Sequence, residues 1–263
     1  MKTTIMLLVC AAMFQITAAQ NDGKKITSGT VKYEEKVKLE IHLEGDGAQF
    51  SNMLPKERKS NKILVFSPDA ALYTNDKGVE EEEEILSEEA GGAMVQIHME
   101  EPDNKLYTDL KTRKQIEQRE FMTRMFLIEG EMETSPWKLT GEEREILGFS
   151  CQEAIMEKDS VKTVAWFTPS IPVSAGPGSY NNLPGLVLEV NVKDGDRIIS
   201  ATSVDEHTGE MARLEKPKEG KKVTREEFDQ IVDEKMKEMG AERGVSGSGT
   251  TTHTIIRIGG NPE

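Results

Sequence analysis

Cysteine is nearly absent: the 263-residue chain has two, Cys10 and Cys151. Cys10 sits in an N-terminal stretch that reads as a removable leader, so the exported form keeps Cys151 alone and has no internal disulfide. Its stability must come from packing and hydrogen bonding. Positive charge is also short, with 33 Lys and Arg against 47 Asp and Glu, a formal net charge of −14. Such a balance argues against nucleic acid, whose phosphates require a basic surface. Beyond the leader no apolar run is long enough to span a bilayer, so the mature chain does not read as an integral membrane protein.

Catalytic and metal-binding patterns are missing as well. His42, His98, His207 and His253 are scattered, with no H-E-x-x-H spacing, and one cysteine cannot build a C-x-x-C knuckle. Met94 and His98 share a strand face while Met99 points away, which argues against copper. There is no G-x-S-x-G elbow, and the glycines of 244–252 lack the lysine of a phosphate loop. Carboxylates are so abundant that acid pairs arise by chance and single out no glycosidase site. The chain therefore reads as a non-enzyme, with no catalytic residue, no metal and no cofactor.

What is present begins with an address. Met1-Lys2 gives a positive start, 5–16 is an apolar run, and Thr17-Ala18-Ala19 offers small residues for cleavage. The expectation is a signal peptide over 1–19 and a single mature domain over 20–263. Bulky Val9 before Cys10 does not suit a lipoprotein box. Cleavage removes Lys2 alone among the charged residues, which leaves 32 against 47, or −15.

The mature chain reads as strands and turns. Val31, Tyr33, Val37, Leu39, Ile41 and Leu43 alternate with mostly charged residues, which predicts one long strand over 31–43 ended by Gly45-Asp46-Gly47. A helical turn is expected at 50–54. Further strands are expected at 61–67, 71–75, 94–100, 105–110, 114–120, 121–129, 137–139, 145–147, 150–156 and 161–168. Segment 75–92 holds eight acids against Lys77, a net −7, without the ligand spacing of a calcium loop, and reads as a solvated acidic loop. Asp194-Gly195 predicts a hairpin within 186–204 whose register pairs Lys193 with Asp196, Val190 with Ile199 and Leu188 with Ala201. One helix is expected over 224–239, opened by a Thr224/Glu227 capping box, presenting Phe228, Ile231, Val232 and Met236 on one face and stopped by Gly240. A Gly/Ser linker at 244–249 and a short strand at 252–258 close the chain.

One block carries a family likeness. Gly148-Phe149-Ser150-Cys151-Gln152-Glu153-Ala154 is followed by Ala165-Trp166-Phe167-Thr168-Pro169, Ile171-Pro172-Val173, Gly176-Pro177 and Leu183-Pro184-Gly185-Leu186-Val187. This ordered set resembles the GLPGLI family, exported proteins of two-membrane bacteria, and Gly29-Thr30-Val31-Lys32-Tyr33-Glu34 is similar to its first strand. Asn182 stands where the family has its first glycine, Val187 replaces its last isoleucine, and 178–181 differs from its usual aromatic approach. The resemblance brings no established activity, so the motif residues Cys151, Trp166, Pro169, Pro172, Gly176, Pro177, Leu183, Pro184, Gly185 and Leu186 are read as architecture. In that reading 183–186 is a type II turn with Gly185 at positive φ, and Cys151 and Trp166 are packing residues on neighbouring strands. A ligand loop over 170–182 is the sharper alternative.

The expected fold is mainly β: a single curved antiparallel sheet or open barrel with the C-terminal helix packed on it. By analogy it is like periplasmic lipoprotein carriers of the LolA/LolB type. The expected function is a non-enzymatic binding protein of the cell envelope, periplasmic or extracellular, carrying an apolar ligand or lipid in the concave sheet. Alternatives are an interaction accessory of an outer-membrane complex acting through the acidic loop, and an unrecognised hydrolase. Expected partners are an apolar ligand or an envelope protein.

Overall fold

Alternating side chains become sheet along most of the chain. The computed structural model describes residues 25–39, 55–78, 86–90, 93–98, 101–207, 214–238 and 255–260. Its strands are β1 (Gly29–Lys38), β2 (Glu57–Phe66), β3 (Ala70–Asn75), β4 (Leu86–Ala90), β5 (Ala93–His98), β6 (Lys105–Asp109), β7 (Lys114–Phe121) and β8 (Arg124–Glu131). They continue with β9 (Lys138–Ile146), β10 (Phe149–Lys158), β11 (Val161–Thr168), β12 (Leu186–Val192), β13 (Arg197–Glu206), β14 (Lys221–Val223) and β15 (Ile255–Gly260). Helix α1 (Arg225–Glu238) is the one α-helix among the described residues. The helical turn expected at 50–54, residues 40–43 of the first expected strand, and the 244–249 linker lie outside the described residues.

The fold is mainly β, with one large open antiparallel sheet. Twelve strands follow the order β14-β8-β7-β6-β3-β2-β1-β13-β12-β11-β10-β9. The chain thus runs two meanders, and β1 joins them at the centre by pairing with β2 on one side and β13 on the other. Two details differ from a single antiparallel sheet. Strand β14 pairs in parallel with β8, and β15, β5 and β4 form a separate three-stranded sheet. The acidic segment 75–92 is accordingly not all loop, since β4 falls within it. Where two short pieces were expected at 137–139 and 145–147, Lys138–Ile146 form the single nine-residue β9.

Connection 132–137 imposes the curvature. It joins β8, next to one end of the sheet, to β9 at the other. Laid flat, the ten strand-to-strand steps between them would span about 48 Å. Six linking residues reach at most about 25 Å. The sheet therefore bends until its ends approach.

Register identifies the inner face, because directly paired residues point the same way. Val31, Leu64, Tyr73, Leu106, Glu117 and Ile128 form one row across it. The main core lies on this side and includes Val31, Tyr33, Leu64, Phe66, Ala154, Ala165, Val190 and Ile199. Ile171, Val173, Ala175, Tyr180 and Leu183, from the connection between β11 and β12, complete that core. The motif loop is thus laid into the concavity of the sheet.

Helix α1 covers the same face further along, over β7 and β8. Thr224 Oγ1 accepts from Glu227 N at 3.1 Å and Glu227 Oε2 accepts from Thr224 N at 2.9 Å, the reciprocal capping box the sequence predicts. Phe228 and Val232 are its buried residues, packed with Phe121, Phe126, Ile128 and Val223 in a second small core. Each such side chain contributes about 1.5–3 kcal/mol, so the helix is lightly held.

The β12–β13 hairpin keeps the expected register at Val190 opposite Ile199, with Lys193 bridged to Asp196 at 2.8 Å, but the ladder starts at Glu189–Ser200 and does not include the expected Leu188–Ala201 pair. Its turn is wider than expected: Lys193, Asp194 and Gly195 all take positive φ, and the ladder ends at Val192–Arg197. At the outer edge of the sheet, β9 bulges. Gln152 pairs with Glu143 and Ala154 with Leu139, so Thr140, Gly141 and Glu142 oppose Glu153 alone.

The type II turn at 183–186 is not formed. Gly185 lies outside the left-handed region, while Asn182 takes φ 68°. Gly185 is needed for closeness: a Cβ there would overlap the carbonyl oxygen of Thr168. Asn182 takes this backbone because asparagine tolerates the left-handed region better than most residues. Gly185→Ala is expected to lower unfolding free energy by about 1–3 kcal/mol through overpacking, read as a drop in the urea midpoint at unchanged slope.

Candidate functional site: a buried polar cluster beside the motif loop

On β1, β2 and β13, three inward-facing positions carry buried charge. Glu35 shares the side of Val31, Tyr33 and Val37 on β1, Lys62 that of Leu64 and Phe66 on β2, and Arg197 that of Ile199 and Ala201 on β13. Burying a charge is costly unless it is paired. Glu35, 2% exposed, accepts from Arg197 Nε at 2.7 Å. Lys62 is paired with Glu101 and donates to Asn75 Oδ1 at 2.7 Å. Asn75 Nδ2 in turn donates to the Pro102 carbonyl at 3.1 Å, which ties the approach to β6 onto the end of β3.

Three tyrosines surround these pairs. Tyr33 donates to the Val187 carbonyl at 2.6 Å, its ring meets Tyr73 edge-on at 6.2 Å, and Tyr180 of the motif loop faces the Arg197 guanidinium at 6.0 Å. Burial lifts all three phenols above their ordinary range. Burial also opposes the charge on Arg197, but Glu35 beside it prevails and holds its proton more firmly than usual. Glu35 Oε2, Tyr73 OH and Glu101 Oε2 are buried and have no protein hydrogen-bond partner. Between Tyr73, its sheet neighbours and loop residues Ser174 to Asn181 lies a cavity of about 10 Å³, roughly room for one water molecule.

The motif residues divide between the two faces. Leu183 and Leu186 are core residues, Pro177 is buried, and Pro169, Pro172 and Pro184 are exposed. Gly176, like Gly185, allows a contact that a side chain would block, here with the Tyr180 carbonyl oxygen. The loop is clipped by Asn182, which accepts from Arg113 at 2.8 Å and donates to the Glu133 carbonyl at 2.7 Å, and by Trp137 Nε1 donating to the Asn181 carbonyl at 2.8 Å. These bonds reach the β6–β7 turn and the 132–137 connection.

Cys151 and Trp166 lie on the other face. Arg144, opposite Cys151 in the β9–β10 ladder, stacks on the Trp166 ring at 4.1 Å and pairs with Glu189 at 2.6 Å. Cys151 is fully buried, and burial pushes its thiol up to about 11. The structure therefore does not gather the ten motif residues into one site. Instead it brings Tyr180 to a polar cluster whose other members are Glu35, Lys62, Tyr73, Glu101 and Arg197.

Among the described residues no group of three or more His, Cys, Asp or Glu is placed to hold a metal. His207 is exposed, the His98 and Met94 side chains are not described, and His42, Met99 and His253 lie outside the described residues. No helix of the described residues is long and apolar enough to cross a membrane. On the outer face, Tyr107, Asp109, Lys114, Ile116, Glu129 and Lys216 line an open groove of about 370 Å³.

Comparison with known proteins gives a family match and a fold likeness. A family model described as "Protein of unknown function (Porph_ging)" matches residues 152–189. That stretch covers most of the motif block, from Gln152 onward. It runs from β10 through the loop laid into the concavity to Glu189 on β12. No curated relative matches the sequence. PNGF-II, solved in the P21 space group, is similar in fold with a TM-score of 0.54 at 15% identity, covering 78% of this chain and 33% of PNGF-II. Its C2 crystal form gives a TM-score of 0.53 at the same identity, again over 78% of this chain. The chain thus spans about a third of the length of that protein.

Two expectations follow. Arg197→Met leaves Glu35 buried without its cation and should cost about 3–5 kcal/mol, whereas joining it to Glu35→Leu should recover most of the loss. Chemical denaturation of the two single variants and the double variant measures both. The Cys151 thiol should label with a maleimide at pH 8 only at the rate of unfolding, since it is buried and protonated; mass spectrometry against time reads this directly.

Proposed function

We propose that the chain is an exported, non-enzymatic protein of the cell envelope, a member of the GLPGLI family, that binds an apolar ligand on the inner face of its sheet at the end covered by α1. The unlike character of the two halves of that face carries this reading. One half is filled by the protein's own loop, with a cavity of about 10 Å³ against it. The other is an aromatic floor closed by a single helix with two buried side chains. A guest that needs area gains it by displacing a cover, and the helix is the slighter of the two covers.

The state of the polar groups supports a binding role over catalysis. The buried Glu35 and Glu101 carboxylates are matched by cations, and the phenols and the thiol are held protonated by burial. The Arg197–Glu35 and Lys62–Glu101 pairs serve as internal ties that fix the sheet under its loop. Family membership rests on the ordered motif block together with the similar first strand, and periplasmic or extracellular placement on the leader.

Native mass spectrometry of the leader-processed protein, purified gently from its envelope, tests the reading. A non-covalent adduct of small-amphiphile mass is expected. A bare polypeptide mass would count against it, and a stoichiometric protein adduct would favour an envelope protein as the partner instead.

A further inference from the structure

The small core beneath α1 contains a charge that packing alone does not call for. Arg119 shares the inner side of β7 with Glu117 and Phe121, opposite Phe126 of β8, and is 5% exposed. Its Nε lies 2.7 Å from Glu117 Oε1, and Glu117 Oε2 is paired with Arg225 of the helix. One carboxylate therefore serves two guanidiniums. The Arg119 guanidinium lies 5.7 Å from the centre of the Phe228 ring. That ring meets Phe126 edge-on at 5.3 Å and Phe121 at 6.2 Å. Phe228 thus fills a slot with aromatic walls and a buried cation at its rim. Burial, reinforced by the nearby Arg225, makes Arg119 give up its proton more readily than usual, against the pull of Glu117 and of Asp229 on α1.

The cover over this slot is slight. Capping, the Arg225–Glu117 ion pair, the buried Phe228 and Val232 and the half-buried Ile231 and Met236 hold a fourteen-residue helix whose remaining surface is mostly exposed. Strand β14, which leads into it, has three residues. Lifting α1 removes Phe228, Arg225 and Asp229 together. It leaves Phe121, Phe126 and Ile128 bare beside an arginine whose donors outnumber the oxygens of Glu117.

Resting on the binding role proposed above, we infer that α1 is a displaceable cover and that the slot beneath it takes a single-chain anionic amphiphile. Its carboxylate or phosphate head sits on Arg119, and its alkyl chain lies along Phe121, Phe126 and Ile128 in the place of the Phe228 ring. The planar guanidinium suits a two-oxygen head, and the floor suits a chain. Both source classes, fatty acids and phosphate-headed lipids, share that chemistry.

The test is fluorescence titration of the full chain with a dansyl-labelled fatty acid, with dodecanoate, dodecyl phosphate and uncharged dodecanol as competitors. Arg119→Met keeps bulk and removes charge, and should weaken the labelled probe about tenfold. Phe228→Ala empties the slot, and should tighten binding several-fold because the cover no longer competes. Val232→Ala loosens the same helix from a second point and repeats the test should Phe228→Ala not fold, which circular dichroism reports. Dodecanoate and dodecyl phosphate should displace the probe where dodecanol does not, and their ratio identifies the preferred head. Binding that ignores Arg119→Met, or that weakens in both cover variants, overturns this site while leaving a binding protein in place. No binding by wild type or cover variants overturns the site as well, and the adduct spectrum then decides the wider reading.

Discussion

A six-residue bridge between strands at opposite ends of a twelve-stranded sheet is the constraint on which the architecture depends. Segment 132–137 cannot span a flat sheet, so strands β8 and β9 are drawn toward one another and the surface between them becomes concave. Concavity creates the problem that the rest of the chain solves. An inner face lined by Val31, Leu64, Phe66 and Ile128 needs cover along its whole width. The protein supplies two covers of different character.

The first is the motif loop, which is bonded into place. Its glycines permit backbone contacts that no side chain allows, its apolar residues complete the main core, and Asn182 ties it to the very connection that bends the sheet. Tyr180 brings the loop to the Arg197–Glu35 pair. Such a lid moves only with the core. The second cover, α1, is reached through a three-residue parallel strand and rests on the buried Phe228 and Val232, with Ile231 and Met236 packed beside them. Rigidity and looseness therefore sit side by side on one surface, and local openings start where contacts are fewest.

Much of this was legible in the sequence, for physical reasons that differ from place to place. Period-two alternation marked β1, and the Thr224/Glu227 pair marked the start of α1, because both are local rules with local consequences. The register of β12 and β13 followed from the Asp194-Gly195 turn. One hairpin, divided at 120/121 in the sequence, turns instead at Met122 and Thr123, two unsuspected residues with positive φ. Without Asn-Gly or Asp-Gly there is no turn signal to read, and tertiary packing holds the strained backbone. Strand β14 is too short to show a period, and its partner lies far away in the chain. The type II turn failed because Gly185 was read for its dihedral freedom when its lack of a side chain was what mattered. The polar cluster did leave a trace. Glu35 interrupts the alternation of Val31, Tyr33 and Val37 at an inward position, and Lys62 and Arg197 do the same on their strands. Charges in register with apolar neighbours imply partners of opposite sign, which a search for motifs passes over.

The outermost strand has a different consequence. β9 carries Glu142, Glu143, Arg144 and Glu145 along a rim broken by the Gly141 bulge, so its hydrogen-bonding groups do not line up as a straight ladder. A neighbouring molecule laid alongside meets like charges and a kinked backbone. Crowded together at high local density, copies of this protein are discouraged from stitching their sheets into fibrils, although the sheet has never closed on itself.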